Sequence, residues 1–387
     1  MRGHVGSRVS KKTGKKSWYI KYDALSGERK QVWKGGFKTE HDAEAALTKV
    51  LASIDIGEYT QPSKTSLLTY LRAWLDTKAP GMARQTTAGY RNIIEKHIAN
   101  DIIGSAPVSH LRPNHLEAYY TRLRTANLKE YTVQHHHRLL HQSLKRAVRD
   151  RLLTRNPADD VELQKIRRFK AATYTAEMVA KMLECLRDED IYPPTLLAVT
   201  GGLRRGEDLG ATWQAVDLEL GTLNINQAYY VVDGVASFDP VKSEDSEDVV
   251  YLPAFTVNEL KRIRKEQLKQ KLQLGATWQD NDLICCKADG SPWNPSTVSK
   301  KFSNALIRYG LPHIRFHDLR HTHATVLHEG GADMKDISDR LRHSTVQITS
   351  DIYTDMTASR RQKVADVFDK AVFGPKKLPR HNRGNQR

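Results

Sequence analysis

Residues 200–207 read Thr200-Gly201-Gly202-Leu203-Arg204-Arg205-Gly206-Glu207, a glycine-led turn joining two helical runs. The glycines permit a tight reversal. They put Arg204 near a helix start, where unsatisfied N–H groups already favour an anion. Taken alone, Arg204 is more readily read as an interdomain salt-bridge partner. Upstream lie the apolar run Thr195–Val199 and a helix over Ala176–Leu186. Downstream, strands are expected over Thr222–Val232 and Asp248–Leu252, a helix from near Phe255, and further helices to the end. Helices outnumber strands, which predicts an α+β domain with a small antiparallel sheet over residues 173–374.

The same region carries other residues that handle phosphate or protons. Lys242 sits in Pro240-Val241-Lys242-Ser243-Glu244-Asp245-Ser246, between two strand signals, and is expected at a hairpin tip; its plain alternative is a solvated loop lysine. His317-Asp318-Leu319-Arg320-His321-Thr322-His323 opens a helix and sets His317 and Arg320 on one face. A metal site built from His313, His317, His321 and His323 is the rival reading, but a glutamate at the HExxH position is absent. His343 and Tyr353 follow ten residues apart. Tyrosine alone is usually a half-buried aromatic.

Bulk properties narrow the partners. The 387 residues hold 61 Lys+Arg against 45 Asp+Glu, a formal charge of +16, with pI near 9.6. Such a chain favours a polyanion, either nucleic acid or an acidic membrane surface. It contains no run of eighteen apolar residues, so no membrane span is expected, and its basic N-terminus lacks the apolar segment of a secretory signal. Cys185, Cys285 and Cys286 offer no CxxC spacing, which argues for packed thiols in a reducing cytosol. The length predicts two or three domains.

Residues 1–60 read as a small basic module. Ten Lys/Arg and two acids precede residue 35. Trp18–Asp23 alternates as a strand, Ser26-Gly27 signals a turn, and Arg29–Phe37 reads as a second strand. Thr39 caps a helix running to about Ile56. Strand alternation nominates Tyr19, Lys21, Lys30 and Lys34 as nucleic-acid contacts. Gln61-Pro62-Ser63 is a linker signal. Residues 64–160 read as a helical bundle whose last helix, Tyr131–Asp150, packs Val133, His137, Leu140, Leu144 and Val148 inward. Its basic face offers Arg138, Lys145 and Arg149 to a duplex backbone. The consecutive His135, His136 and His137 point in different directions and make no metal site. Asn156-Pro157 ends the bundle, and residues 375–387 form a basic tail.

The ordered set Arg204, Lys242, His317-x-x-Arg320, His343, Tyr353 resembles the tyrosine recombinases, the phage-integrase family. The match covers residues of about 170–370 and extends more weakly to the bundle. Residues 1–60 resemble the sheet-and-helix arm-binding domains of integrases from prophages and conjugative elements. The expected fold is therefore multidomain and mainly α: an N-terminal three-stranded sheet plus helix, a core-binding bundle, and the α+β catalytic domain. One departure stands out: the family usually reads Leu-Gly-His where this chain has Leu341-Arg342-His343, and the arginine is expected to alter the turn that presents His343.

The resemblance implies the chemistry. Arg204 and Arg320 would hold the non-bridging oxygens of a scissile phosphate. Tyr353 would attack phosphorus, giving a 3′-phosphotyrosine, with His317 assisting. Lys242 would protonate the leaving 5′-oxygen, and His343 would donate to the phosphate. No cofactor or metal is implied. The implied partners are double-stranded DNA attachment sites of core and arm type, three further copies in a homotetramer, a small excision factor and a host DNA-bending protein, in a bacterial, nucleoid-associated setting. A DNA-binding regulator without chemistry and a type IB topoisomerase are the alternatives. A stripe of Val364, Val367, Phe368, Ala371 and Val372 is expected to dock on a neighbouring subunit or on its own domain.

Overall fold

The computed structural model describes residues 3–9, 14–23, 31–55, 64–166, 171–240 and 249–342. It divides into two compact units, Met1–Arg168 and Phe169–Arg387. Lys30, Lys242, His343, Tyr353, the apolar stripe near the C-terminus and the basic tail lie outside the described residues.

The first unit contains two separate cores. Strands β1 (Gly3–Val9), β2 (Lys16–Asp23) and β3 (Gln31–Phe37) form an antiparallel sheet in that order. Helix α1 (Glu40–Asp55) follows, opened by Thr39, whose Oγ1 accepts from the Asp42 amide at 3.1 Å. Ile20 and Tyr22 are buried with Ala43, and Val5, Trp18, Val32 and Phe37 close around them. Pairing shifts between Trp18 and Tyr19: Trp18 opposes Phe37, while Tyr19 opposes Gly35. Gly36, at φ +96°, is the extra residue, a glycine-borne bulge.

The bundle comprises α2 (Leu67–Lys78), α3 (Arg84–Asn92) running into a π-helical turn Ile93–Ile98, α4 (Ile102–Ser105), α5 (Pro113–Thr125) and α6 (Glu130–Arg149). Ser66 caps α2 by accepting from the Thr69 amide at 3.2 Å, worth about 1 kcal/mol. Leu67, Leu71, Trp74 and Leu75 are buried, as their spacing predicts. Helix α6 buries Val133, His136, Leu139, Leu140, Ser143, Leu144 and Ala147, so the inward face is rotated from the expected one and takes His136 rather than His137. Both histidines find tyrosine partners: His136 Nδ1 meets the Tyr119 hydroxyl at 2.8 Å and His137 Nδ1 the Tyr120 hydroxyl at 3.2 Å. The core also runs past Asn156-Pro157 to Ala158 and Val161. Asn156 ties this end by donating to the His141 carbonyl at 3.2 Å and accepting from the Ala158 amide at 3.1 Å.

The second unit starts with α7 (Ala176–Leu186), α8 (Tyr192–Gly201) and α9 (Arg205–Gly210). Strands β4 (Val216–Asp217), β5 (Thr222–Asn224), β6 (Gln227–Val232), β7 (Val235–Pro240) and β8 (Val249–Tyr251) come next, then α10 (Ala254–Leu274), α11 (Pro295–Arg308), α12 (Asp318–Glu329) and α13 (Met334–Arg340). The apolar run Thr195–Val199 is the middle of α8, buried on all sides. The single strand expected over Thr222–Val232 is two: β5 pairs with β4 and β8, whereas β6 pairs only with β7. The chain changes sheets at Ile225-Asn226, beside asparagines that favour irregular backbone. The β6–β7 hairpin turns at Asp233-Gly234, both with positive φ. The strands on either side of the segment that holds Lys242, β7 and β8, belong to different sheets; Lys242 itself lies outside the described residues. The core gathers α7, α8, α10, α11 and the first turn of α12 around Leu196, Leu197, Leu260, Phe302 and Leu319. Ala324, Ile337 and Leu341 make a smaller one beside it. No helix among the described residues is long and apolar enough to cross a membrane.

Candidate active site

Helix α8 ends at Gly202, whose φ of +66° is left-handed. A Cβ there would come within 2.7 Å of the His323 ring and 2.8 Å of the Leu341 side chain. Only glycine combines that backbone with that packing. The turn delivers Arg204 as the N-cap of α9. Its amide donates to Glu207 Oε2 at 2.9 Å, its Nη1 to Glu207 Oε1 at 2.7 Å, and its Nη2 to the Arg342 carbonyl at 2.9 Å.

Arg320, on the first turn of α12, is buried at 4 % exposure. Its Nη1 donates to the Gly202 carbonyl at 2.6 Å and its Nη2 to the Leu341 carbonyl. Both arginines therefore grip adjacent carbonyls at the end of α13, immediately before His343. A guanidinium has five N–H donors, so each still has donors beyond the bonds it makes within the protein. Burial lowers the Arg320 pKa to about 9, and the charges of Arg204 and Arg342 add to this. A buried excess of positive charge is stabilised by an anion.

Glu207 is buried and closes the cluster. It also accepts from Arg342 Nη2. Burial raises its pKa, but Arg342, then the amide and guanidinium of Arg204, outweigh this and hold it below the usual carboxylate value. The next residue, Asp208, points into the core, where burial raises its pKa well above the usual value and the Cys285 thiol donates to it at 3.6 Å.

His317 is the N-cap of α12. The residue is exposed; the protein packed around the ring, then His321 and Arg320, lowers its pKa. His321 meets it edge-on at 5.4 Å between ring centroids. Asp318 anchors this helix start by accepting from Arg315 Nε at 2.9 Å and Nη2 at 2.6 Å. His323 is structural: Nδ1 donates to the Val199 carbonyl at 2.8 Å, and Nε2 accepts from Arg340 Nε at 2.9 Å. His313 bonds Ser303. His313 and His323 are thus engaged elsewhere, while His317 and His321 meet each other. Among the described residues no three His, Cys, Asp or Glu side chains could hold a metal ion.

Of the six residues singled out from the sequence, the structure brings Arg204 and Arg320 together, with His317 beside Arg320 at the start of α12; the other three lie outside the described residues. Glu207 and Arg342 join them and were not among the six. The signal for Arg342 was its place where the resembled family has glycine.

The N-terminal sheet has a distinct outer face. Register sets His4 opposite Lys21, Gly6 opposite Tyr19, Arg8 opposite Ser17, and Trp33 opposite Lys21. Trp33 is 59 % exposed and stacks on Tyr19 at 5.0 Å, with Lys21 Nζ 5.0 Å from its ring centroid. Tyr19 and Lys21 lie on this face as expected. Lys34 does not: it opposes Ile20 and shares the face that packs on α1. The bulge at Gly36 reverses the alternation and puts Trp33 outward instead. Arg138, Lys145 and Arg149 are all exposed on α6.

Residues 159–360 match the phage integrase family, and residues 7–54 match the arm DNA-binding domain. A protein described as "Tyrosine recombinase XerC-like" from Caldanaerobacter subterraneus subsp. tengcongensis is 25% identical over 359 residues, 86% of this chain and 90% of that protein. In fold, the chain is similar to the Tn1549 transposon integrase solved in complex with a circular intermediate DNA, with TM-score 0.68 at 16% identity over 78% of this chain and 99% of that one. It is also similar to lambda integrase, solved as a tetramer bound to a Holliday junction, with TM-score 0.56 at 18% identity over 86% and 92%. The match over more than half its length shows that this chain belongs to the phage integrase family, the tyrosine site-specific recombinases.

Proposed function

We propose that this chain integrates and excises a mobile element by cutting and rejoining DNA at core-type sites with Tyr353 as nucleophile. The observation that carries this reading is the convergence of Arg204 and Arg320 on the carbonyls of residues 342 and 341. Two guanidiniums held at one turn offer a phosphate forked donors from two sides. Attack by the Tyr353 oxygen on phosphorus breaks the bond to the 5′-oxygen and leaves a 3′-phosphotyrosine. The pentacoordinate state carries an added negative charge, which the arginines stabilise. His317, kept neutral by its lowered pKa, takes the phenolic proton. Lys242 returns a proton to the leaving oxygen, and His343 donates to the phosphate. A 5′-hydroxyl from a second duplex then reverses the chemistry, so strand exchange through a Holliday junction needs no external energy.

The assembly is a homotetramer on two core sites, as the lambda relative is described on its junction. Residues 1–60 bind a distal arm site, 64–160 contribute Arg138, Lys145 and Arg149 to the core duplex, and 173–374 perform the chemistry. An excision factor and a host DNA-bending protein complete the expected partners. The stripe Val364–Val372 docks on a neighbouring subunit; truncation after Thr357 should then abolish tetramers on DNA, and tetramers that still assemble would refute the docking.

The central test is a nicked suicide substrate. The wild-type chain should become covalently trapped and Tyr353→Phe should not; absence of wild-type trapping favours a regulator without chemistry. Recombination between two sites, rather than relaxation of supercoils alone, separates the proposal from a topoisomerase.

A further inference from the structure

Arg342 has a backbone and a side chain that pull in opposite directions. Its φ is +54°, a left-handed conformation that costs a non-glycine residue on the order of 1 kcal/mol. Glycine, which the resembled family usually has there, would avoid that cost. The guanidinium is nevertheless directed inward, its side chain only 12% exposed, onto a Glu207 side chain that is 4% exposed. Folding a long cation into this turn requires something in return.

The bonding of Glu207 identifies it. One carboxylate faces two guanidiniums: Oε1 accepts from Arg204 Nη1, and Oε2 accepts from the Arg204 amide and from Arg342 Nη2. Without Arg342, the carboxylate would be matched by Arg204 alone and would cancel most of its charge toward any phosphate. With Arg342 present, the carboxylate is shared between two guanidiniums, while Arg320 spends its bonds on main-chain carbonyls. Positive charge is then left over to meet the negative charge that builds on pentacoordinate phosphorus.

We propose that Arg342 is a positioning residue for strand cleavage: it draws the Glu207 carboxylate toward itself and so frees the charge of Arg204 to act on the scissile phosphate. This rests on the recombinase reading above. Arg342 acts through Glu207 and Arg204; it is not assigned a contact with DNA.

The test is single-turnover covalent trapping on a nicked core-site substrate at saturating protein, with DNA affinity measured in parallel. Arg342→Gly removes the cation and suits the left-handed backbone, so a purely structural role predicts no loss. The proposal predicts a trapping rate lowered by about 10- to 100-fold, below the ~10²–10³ typical of a donor that touches the reacting group, with the DNA dissociation constant changed by less than about threefold. Arg342→Lys keeps the charge and should stay within about fivefold of wild type. In a Glu207→Gln background there is no carboxylate charge left to offset, so Arg342→Gly should then cost less than about threefold. The proposal is overturned if Arg342→Gly traps at the wild-type rate, if its loss is equal in both backgrounds, if the loss lies in DNA affinity, or if Arg342→Lys is as slow as Arg342→Gly. Failure of the wild type itself to trap, or trapping by Tyr353→Phe, instead overturns the recombinase reading, and this proposal with it.

Discussion

Arg204 donates through Nη2 to the main-chain carbonyl of Arg342 at 2.9 Å, joining positions 138 residues apart. The same guanidinium holds Glu207 through Nη1. A lysine cannot make both contacts, because its ammonium is a point charge rather than a planar fork. Arg204→Lys should therefore reduce covalent trapping on a core-site substrate by about 10²–10³ while DNA affinity changes little. Thermal unfolding should show a loss of only about 1 kcal/mol, the scale of a hydrogen bond. A trapping rate within threefold of wild type would show that the fork is not what the reaction uses.

The pH profile of cleavage follows from His317. Crowding, with His321 and Arg320 beside it, lowers its pKa below the ordinary 6.5. The neutral form, which accepts a proton, therefore persists below pH 6.5. The trapping rate should stay level as pH falls to about 6.5 and decline only in more acid solution. His317→Asn should lower the plateau by about 10²–10⁴ and abolish that acid limb. An acid limb unchanged in His317→Asn would assign it to another group.

How much of this could be read from residues alone depended on periodicity. Helix α2 and its stripe were legible because one face is polar and the other apolar. Helix α8 was not, since burial on all sides leaves an apolar run that fits strand or helix equally. Arg204, His317 and Arg320 were legible as an ordered set, but the carbonyls that the two arginines grip are main-chain atoms that sequence does not mark. The face that Lys34 shares was not legible for a local reason: the bulge at Gly36 inserts one residue, so Lys34 stands opposite Ile20 and Trp33 opposite Lys21. The role of Arg342 was only half visible. Its replacement of a glycine could be seen, whereas its bond to Glu207 depends on a turn that two other arginines hold.

That corrected register nominates Trp33 as an arm-site contact. It is exposed, stacked on Tyr19 and flanked by Lys21. Trp33→Ala should weaken arm-site binding by roughly tenfold, about 1.4 kcal/mol. Cleavage of an isolated core site should remain within twofold. Because the side chain packs into no core, stability should change by less than about 1 kcal/mol. Lys34→Ala, on the opposite face, should have the smaller effect. Footprints on long attachment DNA would reveal the reverse order if the sheet bound through its other side.

His323 makes the stability of the second unit sensitive to acid. It joins α8 to α13 by donating to the Val199 carbonyl and accepting from Arg340, an arrangement that requires the neutral ring. Burial, then the charge of Arg340, lowers its pKa to about 4. Above pH 6.5 the ring is neutral in both folded and unfolded chains, and the group adds no pH dependence. Between 6.5 and about 4 only the unfolded chain takes up the proton, so stability falls as pH is lowered; below about 4 the penalty levels off. The full span is about 3 kcal/mol at ~1.4 kcal/mol per unit of pKa. His323→Gln should be less stable at pH 8 by about 1–3 kcal/mol, having lost buried hydrogen bonds. The gap between wild type and variant should then narrow as pH falls from 6.5 to 4, because only the wild type carries this titration. Denaturant unfolding of the full chain at pH 8, 6 and 4.5 measures that gap, and a gap constant across the three would show that His323 is not held neutral in the folded protein.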